Sequence, residues 1–348
     1  MNTNRDEAFQ VWLKSLFLAQ NNAEQRYSVE ALTGDAGFRK YFRIKTNNRT
    51  YIGVDAEPTK SNNPAFIQIS NAILNSGVKA PEVIHQDDQQ GFFCLTDFGD
   101  RLLSDAVTND NMYSLYENAI DALIELLSIE KVTDYLLPIY DDKFVATELS
   151  IFPEWLLKEH LNISLDNVEK DQLRACFKLL IDNVTEQPRY FMHRDYHSRN
   201  LMLVGDDLNK HEIGVIDFQD AVSGPITYDM VSLLRDCYIK WPSVNVETMF
   251  SYFKKSVSQR FNLNVSEAQW QRWFDLMGIQ RHIKASGIFA RLNHRDNKSG
   301  YLDDIPLTLT YIVEISEKYP ELNFLRLLIL NKILPALNKL DQTQGKHK

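Results

Sequence analysis

Asp195, Asn200 and Asp217 offer carboxylate and carboxamide oxygens at a spacing suited to a hard divalent cation and a phosphate. His193 to Asn200 is a polar run, and Leu201 to Val204 reads as a short buried strand. Gly205, Asp206, Asp207 and Asn209 are turn formers, and Ile213 to Ile216 is a second apolar run ending at Asp217. If the two runs pair antiparallel, Asn200 and Asp217 become neighbours. A carboxylate beside a carboxamide suits magnesium, which keeps several waters and takes one or two protein oxygens together with nucleotide phosphates. Asp195, five positions before Asn200 on the same loop, is then placed to orient a hydroxyl, and phosphoryl transfer asks little more of a protein than positioning and charge stabilisation. Two other readings stand beside this one. His193, Asp195 and His197 also form a His-x-Asp-x-His pattern that fits a hydrolase metal cluster, and a hairpin rich in Asp and Asn is often only a solvated turn.

His193-Arg194-Asp195 followed by Asn200, then Ile216-Asp217-Phe218 beyond a hairpin, resembles the catalytic and metal-binding loops of the aminoglycoside phosphotransferase branch of the protein-kinase-like superfamily. The resemblance implies an α+β, two-lobed protein-kinase-like fold. Residues 1–98 would form a small nucleotide-binding lobe around an antiparallel sheet. Residues 99–340 would form a larger, mainly helical catalytic and substrate-binding lobe, and 341–348 a polar tail. It further implies ATP and magnesium as cofactors, Asp195 as the catalytic residue, and Asn200 and Asp217 as metal ligands. Asp229 resembles the carboxylate that braces the catalytic loop in this superfamily by capping nearby backbone.

The elements ahead of the loop fit such a lobe. Asp6 to Gln20 places Phe9, Trp12, Leu13, Leu16 and Phe17 on one helical face. Three short runs, Tyr27 to Leu32, Phe38 to Lys45 and Thr50 to Val54, predict antiparallel strands. Gly34 and Gly37 in the first turn would let backbone close over phosphates. Arg39, Lys40, Arg43 and Lys45 follow. The third strand lacks the lysine that protein kinases direct at the phosphates, and the next helix, Pro64 to Asn75, lacks the paired glutamate. Arg39 or Arg43 is the expected substitute. Two more strands, Glu82 to His85 and Gly91 to Leu95, lead to Thr96 and Phe98, in the hinge where backbone groups would hold adenine.

Beyond the hinge, helical periods predominate, as in Met112 to Ile129, Asp171 to Val184 and Ser266 to Leu292. Trp155, in a helical segment from Thr147 to His160, is a candidate for stacking on a sugar ring or for core packing. A late basic loop, Ala290 to Tyr301, carries Arg291, His294, Arg295 and Lys298. Together with Gly34 to Arg43, Val54 to Pro58 and the catalytic stretch, this loop is similar to those of the bacterial anomeric N-acetylmuramate/N-acetylglucosamine kinases of peptidoglycan recycling. That likeness implies transfer of the ATP γ-phosphate to the C1 hydroxyl of an amino sugar, with the late cations facing the lactyl carboxylate of muramate. Kinases of aminoglycosides or other small alcohols, and a catalytically silent kinase-like binding module, are the neighbouring readings. The missing lysine favours the silent module; the intact trio of Asp195, Asn200 and Asp217 opposes it.

Composition sets the outer bounds. The 348 residues are 44% hydrophobic with a formal net charge of −9, which supports a sizeable core and opposes a general nucleic-acid binder. Cys94, Cys176 and Cys237 are scattered and odd in number, as expected in a reducing cytoplasm. No run approaches the ~20 apolar residues of a membrane span. The expected partners are a small amino sugar and a nucleotide, with no membrane and no nucleic acid, and the sequence sets no copy number.

Overall fold

The computed structural model describes residues 3–18, 27–32, 38–205 and 212–343. The chain divides into two compact units. The first comprises residues 1–102, 131–136 and 202–220; the second comprises residues 103–130, 137–201 and 221–348.

In the first unit, helix α1 (Thr3–Leu18) lays Phe9, Trp12 and Leu13 on a sheet whose inward side chains include Ile44, Phe92 and Cys94. Each such burial contributes roughly 1.5–3 kcal/mol. The sheet contains β1 (Ser28–Leu32), β2 (Lys40–Lys45) and β3 (Thr50–Asp55). After helix α2 (Asn63–Asn75) come β4 (Val83–Asp87) and β5 (Phe92–Thr96). Strand order is β1-β2-β3-β5-β4, antiparallel throughout. Gly53 on β3 is required by close approach, since a Cβ there would lie 2.9 Å from Ile44 Cδ1 and 3.0 Å from Phe9 Cζ. Helix α2 starts where Asn62 caps the Ala65 amide and Pro64 occupies the first turn, and it buries Ala65, Phe66, Ile69 and Ile73.

The second unit is helical. It contains α3 (Leu103–Ala106), α4 (Met112–Leu127), α5 (Asp142–Ile151) and α6 (Asn167–Glu186), the last opened by a capping box between Asp166 and Glu169. Helix α5 passes directly into a π-helical segment, Phe152–His160. Strand β6 (Arg189–Met192) follows α6. Then comes the ribbon of β7 (Leu201–Val204) and β8 (Glu212–Val215), most of which belongs to the first unit. Strand β9 (Val222–Pro225) returns to pair antiparallel with β6, Arg189 opposite Pro225 and Met192 opposite Val222. Sequence periodicity gave no sign of β9, because its glycine and proline weaken any strand pattern.

Helices α7 (Tyr228–Leu234), α8 (Ser243–Arg260) and α9 (Glu267–Asp296) complete the centre of this unit, and α10 (Ile305–Ser316), α11 (Asn323–Leu328) and α12 (Leu334–Thr343) its end. Helix α9 begins at the Ser266 cap and stops at Asn297, whose φ of 56° ends the helix in the left-handed region. Its middle is buried on nearly every side, as a central helix must be. Among the described residues no helix is long and apolar enough to cross a membrane, and the three cysteines are buried and free.

Candidate active site

The loop from His193 to Asn200 is held at both ends by buried carboxylates. Pairing of β6 with β9 releases the loop after Met192 and sets α7 to begin three residues past Pro225, which brings Asp229 beneath it. Asp229 accepts the His193 amide at 2.6 Å and the Arg194 amide at 3.0 Å. Burial pushes the Asp229 carboxyl up to about 7, against the pull of these two N–H donors. At the far end, Asp236 accepts both the amide (3.0 Å) and the hydroxyl (2.5 Å) of Ser198. The bracing role expected of Asp229 is therefore present, and Asp236, which sequence reasoning passed over, duplicates it. Arg194 has a φ of 78°, and among the described residues the other five non-glycine residues with positive φ are all Asp or Asn. A left-handed arginine persists only where its surroundings fix it. Here Glu148 binds its guanidinium at 2.8 Å, and the Phe144 ring centroid lies 5.1 Å from its Cζ.

Within this braced loop Asp195 turns its backbone inward. Its amide donates to His193 Nδ1 at 3.2 Å, and its carbonyl accepts from Asn200 Nδ2 at 3.0 Å. Its half-buried carboxylate accepts no hydrogen bond among the described residues. Burial pushes the Asp195 pKa up, but the fields of Lys284, His197, Arg194 and Arg281 outweigh it and bring it to about 2. The result is an ionised acceptor with both oxygens available. Lys284 is fixed by Glu148 and by the Tyr228 hydroxyl, each 2.9 Å from its Nζ. Glu148 also accepts from Tyr140 and Gln280, so opposite charges close the network around it and hold its carboxyl below the ordinary range despite burial.

The hydrolase reading fails here. His193 Nδ1 is engaged as the acceptor of the Asp195 amide. Among the described residues no three His, Cys, Asp or Glu side chains converge as a metal cluster.

The first unit carries the remaining candidates. Arg43 is fully engaged: Nε and Nη2 reach Asp97 at 2.8 and 3.2 Å, Nη1 reaches both Asp100 oxygens at 2.7 and 2.8 Å, and Nη2 also reaches the Gly99 carbonyl at 3.0 Å. These bonds use all five of its N–H donors. Arg39 makes one long bond, 3.3 Å to the Asn62 carbonyl, and its Cζ lies 5.4 Å from the Phe66 ring centroid. Phe66 stacks in turn on Phe218 at 5.1 Å, next to Asp217. Asp217 is exposed and, with a φ of 63°, left-handed; its Oδ1 accepts from Gln219 at 2.7 Å. Arg39 and Asp217 both act electrostatically on the Tyr41 phenol, which burial pushes up to about 12. Phe98 packs its ring on Gly214, and the Thr96 hydroxyl accepts the Glu82 amide at 2.9 Å. Gly34 and Gly37 lie outside the described residues.

As magnesium ligands, Asn200 and Asp217 have the right chemistry. Asn200 commits its amide nitrogen to Asp195, and its carboxamide oxygen accepts no hydrogen bond among the described residues. Each of the two offers a hard oxygen of the kind preferred by an ion that retains waters and binds phosphates.

The late cations are not on a loop. Helix α9 continues to Asp296, so Arg291, His294 and Arg295 occupy its last turns, and only Lys298 lies beyond it. Polar composition had suggested a loop, but exposed helix ends are polar as well. His294 Nε2 contacts His160 Nδ1 at 3.1 Å, and Arg295 grips Asp296 at 2.9 Å through both Nε and Nη2. Trp155, half-buried, sits on the π-helical segment, which packs against α9.

The model of the phosphotransferase enzyme family matches residues 28–259. The chain belongs to that family. This phosphotransferase is 36% identical to the N-acetylmuramate/N-acetylglucosamine kinase of Pseudomonas aeruginosa over 324 residues, 91% of this chain and 94% of that protein. It is 33% identical to the enzyme of the same name from Neisseria meningitidis, over 89% of this chain and 91% of that one. Its fold is that of aminoglycoside 2'-phosphotransferase-IIIa in its GDP complex, with a TM-score of 0.59 at 18% identity over 89% of this chain and 98% of that one. It is also that of Plasmodium vivax ethanolamine kinase, with a TM-score of 0.60 at 14% identity over 87% and 93% of the two chains.

Proposed function

We propose that this phosphotransferase moves the γ-phosphoryl group of ATP to the anomeric C1 hydroxyl of N-acetylmuramate or N-acetylglucosamine, as peptidoglycan recycling requires. The observation that carries this reading is Asp195, an ionised carboxylate on a doubly braced loop with no hydrogen bond of its own. Relatives of that name covering about nine-tenths of the chain support the sugar class.

Asp195 accepts the C1 hydroxyl, fixes its direction and takes its proton. The hydroxyl oxygen bonds to the γ-phosphorus as the bond to the β–γ bridging oxygen breaks, and ADP leaves. A carboxylate with so low a pKa is a weak base, but in a loose transition state the proton departs late, so orientation is the larger contribution. Asn200 and Asp217 would hold magnesium, which when bound draws charge from the phosphate oxygens. Of the two arginines, Arg39 is assigned to the phosphates, because Arg43 has no donor left. Residues 1–98 bind the nucleotide, with the Thr96 to Phe98 backbone facing the base, and residues 99–340 bind the acceptor.

Phosphorus NMR after incubation with Mg-ATP and each sugar tests this. An anomeric phosphate is expected, and none from the methyl glycosides, whose C1 oxygen is blocked. Product at C6 would remove the anomeric assignment, and no product from either sugar would remove the reading.

A further inference from the structure

Four cations were candidates for an anionic group on the acceptor, and the structure separates them. Arg295 is paired with Asp296, His294 with His160, and Lys298 lies past the end of α9. Arg291 is different. It is half-buried, its Nε is shut off from solvent without a hydrogen-bond partner, and its guanidinium forms no hydrogen bond or ion pair among the described residues. A buried N–H left unpaired is costly, and guanidinium is built to grip a carboxylate with two parallel bonds.

Position adds a second argument. Arg291 lies seven residues after Lys284 on α9, two turns along the same helix face, about 10 Å by helical rise. Lys284 is the largest of the charges acting to lower the pKa of Asp195. Glu148, the Lys284 partner, and Glu154 on the π-helical segment both act on Arg291 as well, so one wall joins them. The close seating of that wall depends on Gly287, midway between the two cations, where a Cβ would lie 2.8 Å from the Ile151 carbonyl carbon and the Phe152 amide.

We infer that Arg291 is the specificity determinant of the acceptor site, binding the lactyl carboxylate of N-acetylmuramate while Asp195 engages the C1 hydroxyl of the same sugar. N-acetylglucosamine lacks that carboxylate and gains nothing from Arg291. This inference rests on the sugar-kinase reading above.

The test compares kcat/KM for N-acetylmuramate, its neutral lactyl amide and N-acetylglucosamine in the wild type, Arg291→Met and Arg291→Lys. A charge-assisted pair of this kind corresponds to roughly 10- to 100-fold. Arg291→Met is expected to lose that factor on N-acetylmuramate alone, with N-acetylglucosamine serving as the internal check of folding. The amide is expected to be poor with the wild type and unaffected by the substitution. Arg291→Lys should fall between, since it keeps charge and loses the fork. Equal losses on both sugars, no loss on either, or an amide as good as the acid would overturn the assignment. A wild type that phosphorylates neither sugar removes the sugar-kinase reading itself, and this inference with it.

Discussion

Asp229 accepts the backbone amide of His193 at 2.6 Å, from a carboxylate that only 2% of its surface leaves exposed. The bond ties the first residue of the catalytic loop to the first turn of α7. Asp229→Ala leaves two loop amides without an acceptor. A loss of about 2–4 kcal/mol in stability is expected, read as a lower denaturation midpoint, together with a fall in kcat. Unchanged turnover in a correctly folded variant would mean that the brace does not set the geometry of Asp195.

Asp195→Asn removes the negative acceptor while keeping shape. Turnover should fall by roughly 10²–10⁴, and the affinity for a fluorescent ATP analogue should stay within about twofold. Joint loss of both would assign Asp195 to nucleotide binding.

Lys284 links stability to pH. The Asp195 pKa in the folded chain lies below the unfolded reference of about 3.9, so its contribution is present above that value and is lost as pH falls toward 2. The Lys284 pKa is raised, burial being outweighed by Glu148, so its contribution holds below about 10.4 and fades as pH rises past its folded value. Protonation of Asp195 therefore gives no acid limb in kcat/KM between pH 5 and pH 8. Lys284→Met should raise the pKa of Asp195, move its limb to higher pH and destabilise by about 3–5 kcal/mol, since Glu148 stays buried with one cation fewer. A pH–rate profile and a melting series against pH read both effects.

Arg39 and Arg43 should separate cleanly. Arg39→Met is expected to raise the KM for ATP by roughly tenfold with little change in melting temperature, as the loss of one phosphate contact. Arg43→Met strands Asp97, whose side chain is 2% exposed, and should cost about 1–3 kcal/mol. The reverse pattern would return the phosphate role to Arg43.

Gly287→Ala tests the wall. The added methyl meets backbone rather than a flexible side chain, so a loss of about 1–3 kcal/mol and poorer acceptor KM values are expected, with ATP affinity unchanged.

Much of this architecture was legible in the sequence where period and turn chemistry agree. The three leading strands, α2 and the ribbon of β7 and β8 carried both signals. Asp229 was legible through its motif. What escaped was tertiary: β9, whose strand exists because β6 offers it a partner; Asp236, an acidic residue with no local pattern; and the end of α9, where polar residues mark solvent rather than a change of backbone. The network of Glu148, Arg194 and Lys284 did leave one trace. Arg281 and Lys284 stand among the apolar residues of the middle of α9, from Leu276 to Ala290, and charges in such a place must find partners.

Because α9 carries both Lys284 and Arg291, one rigid rod holds the residue that tunes the chemistry and the residue that selects the acceptor. Two helical turns separate them, so the far one can be altered without disturbing the near one. Exchanging only the terminal stretch of this rod between related enzymes would therefore transplant their taste for charged or neutral sugars while leaving the transfer step intact.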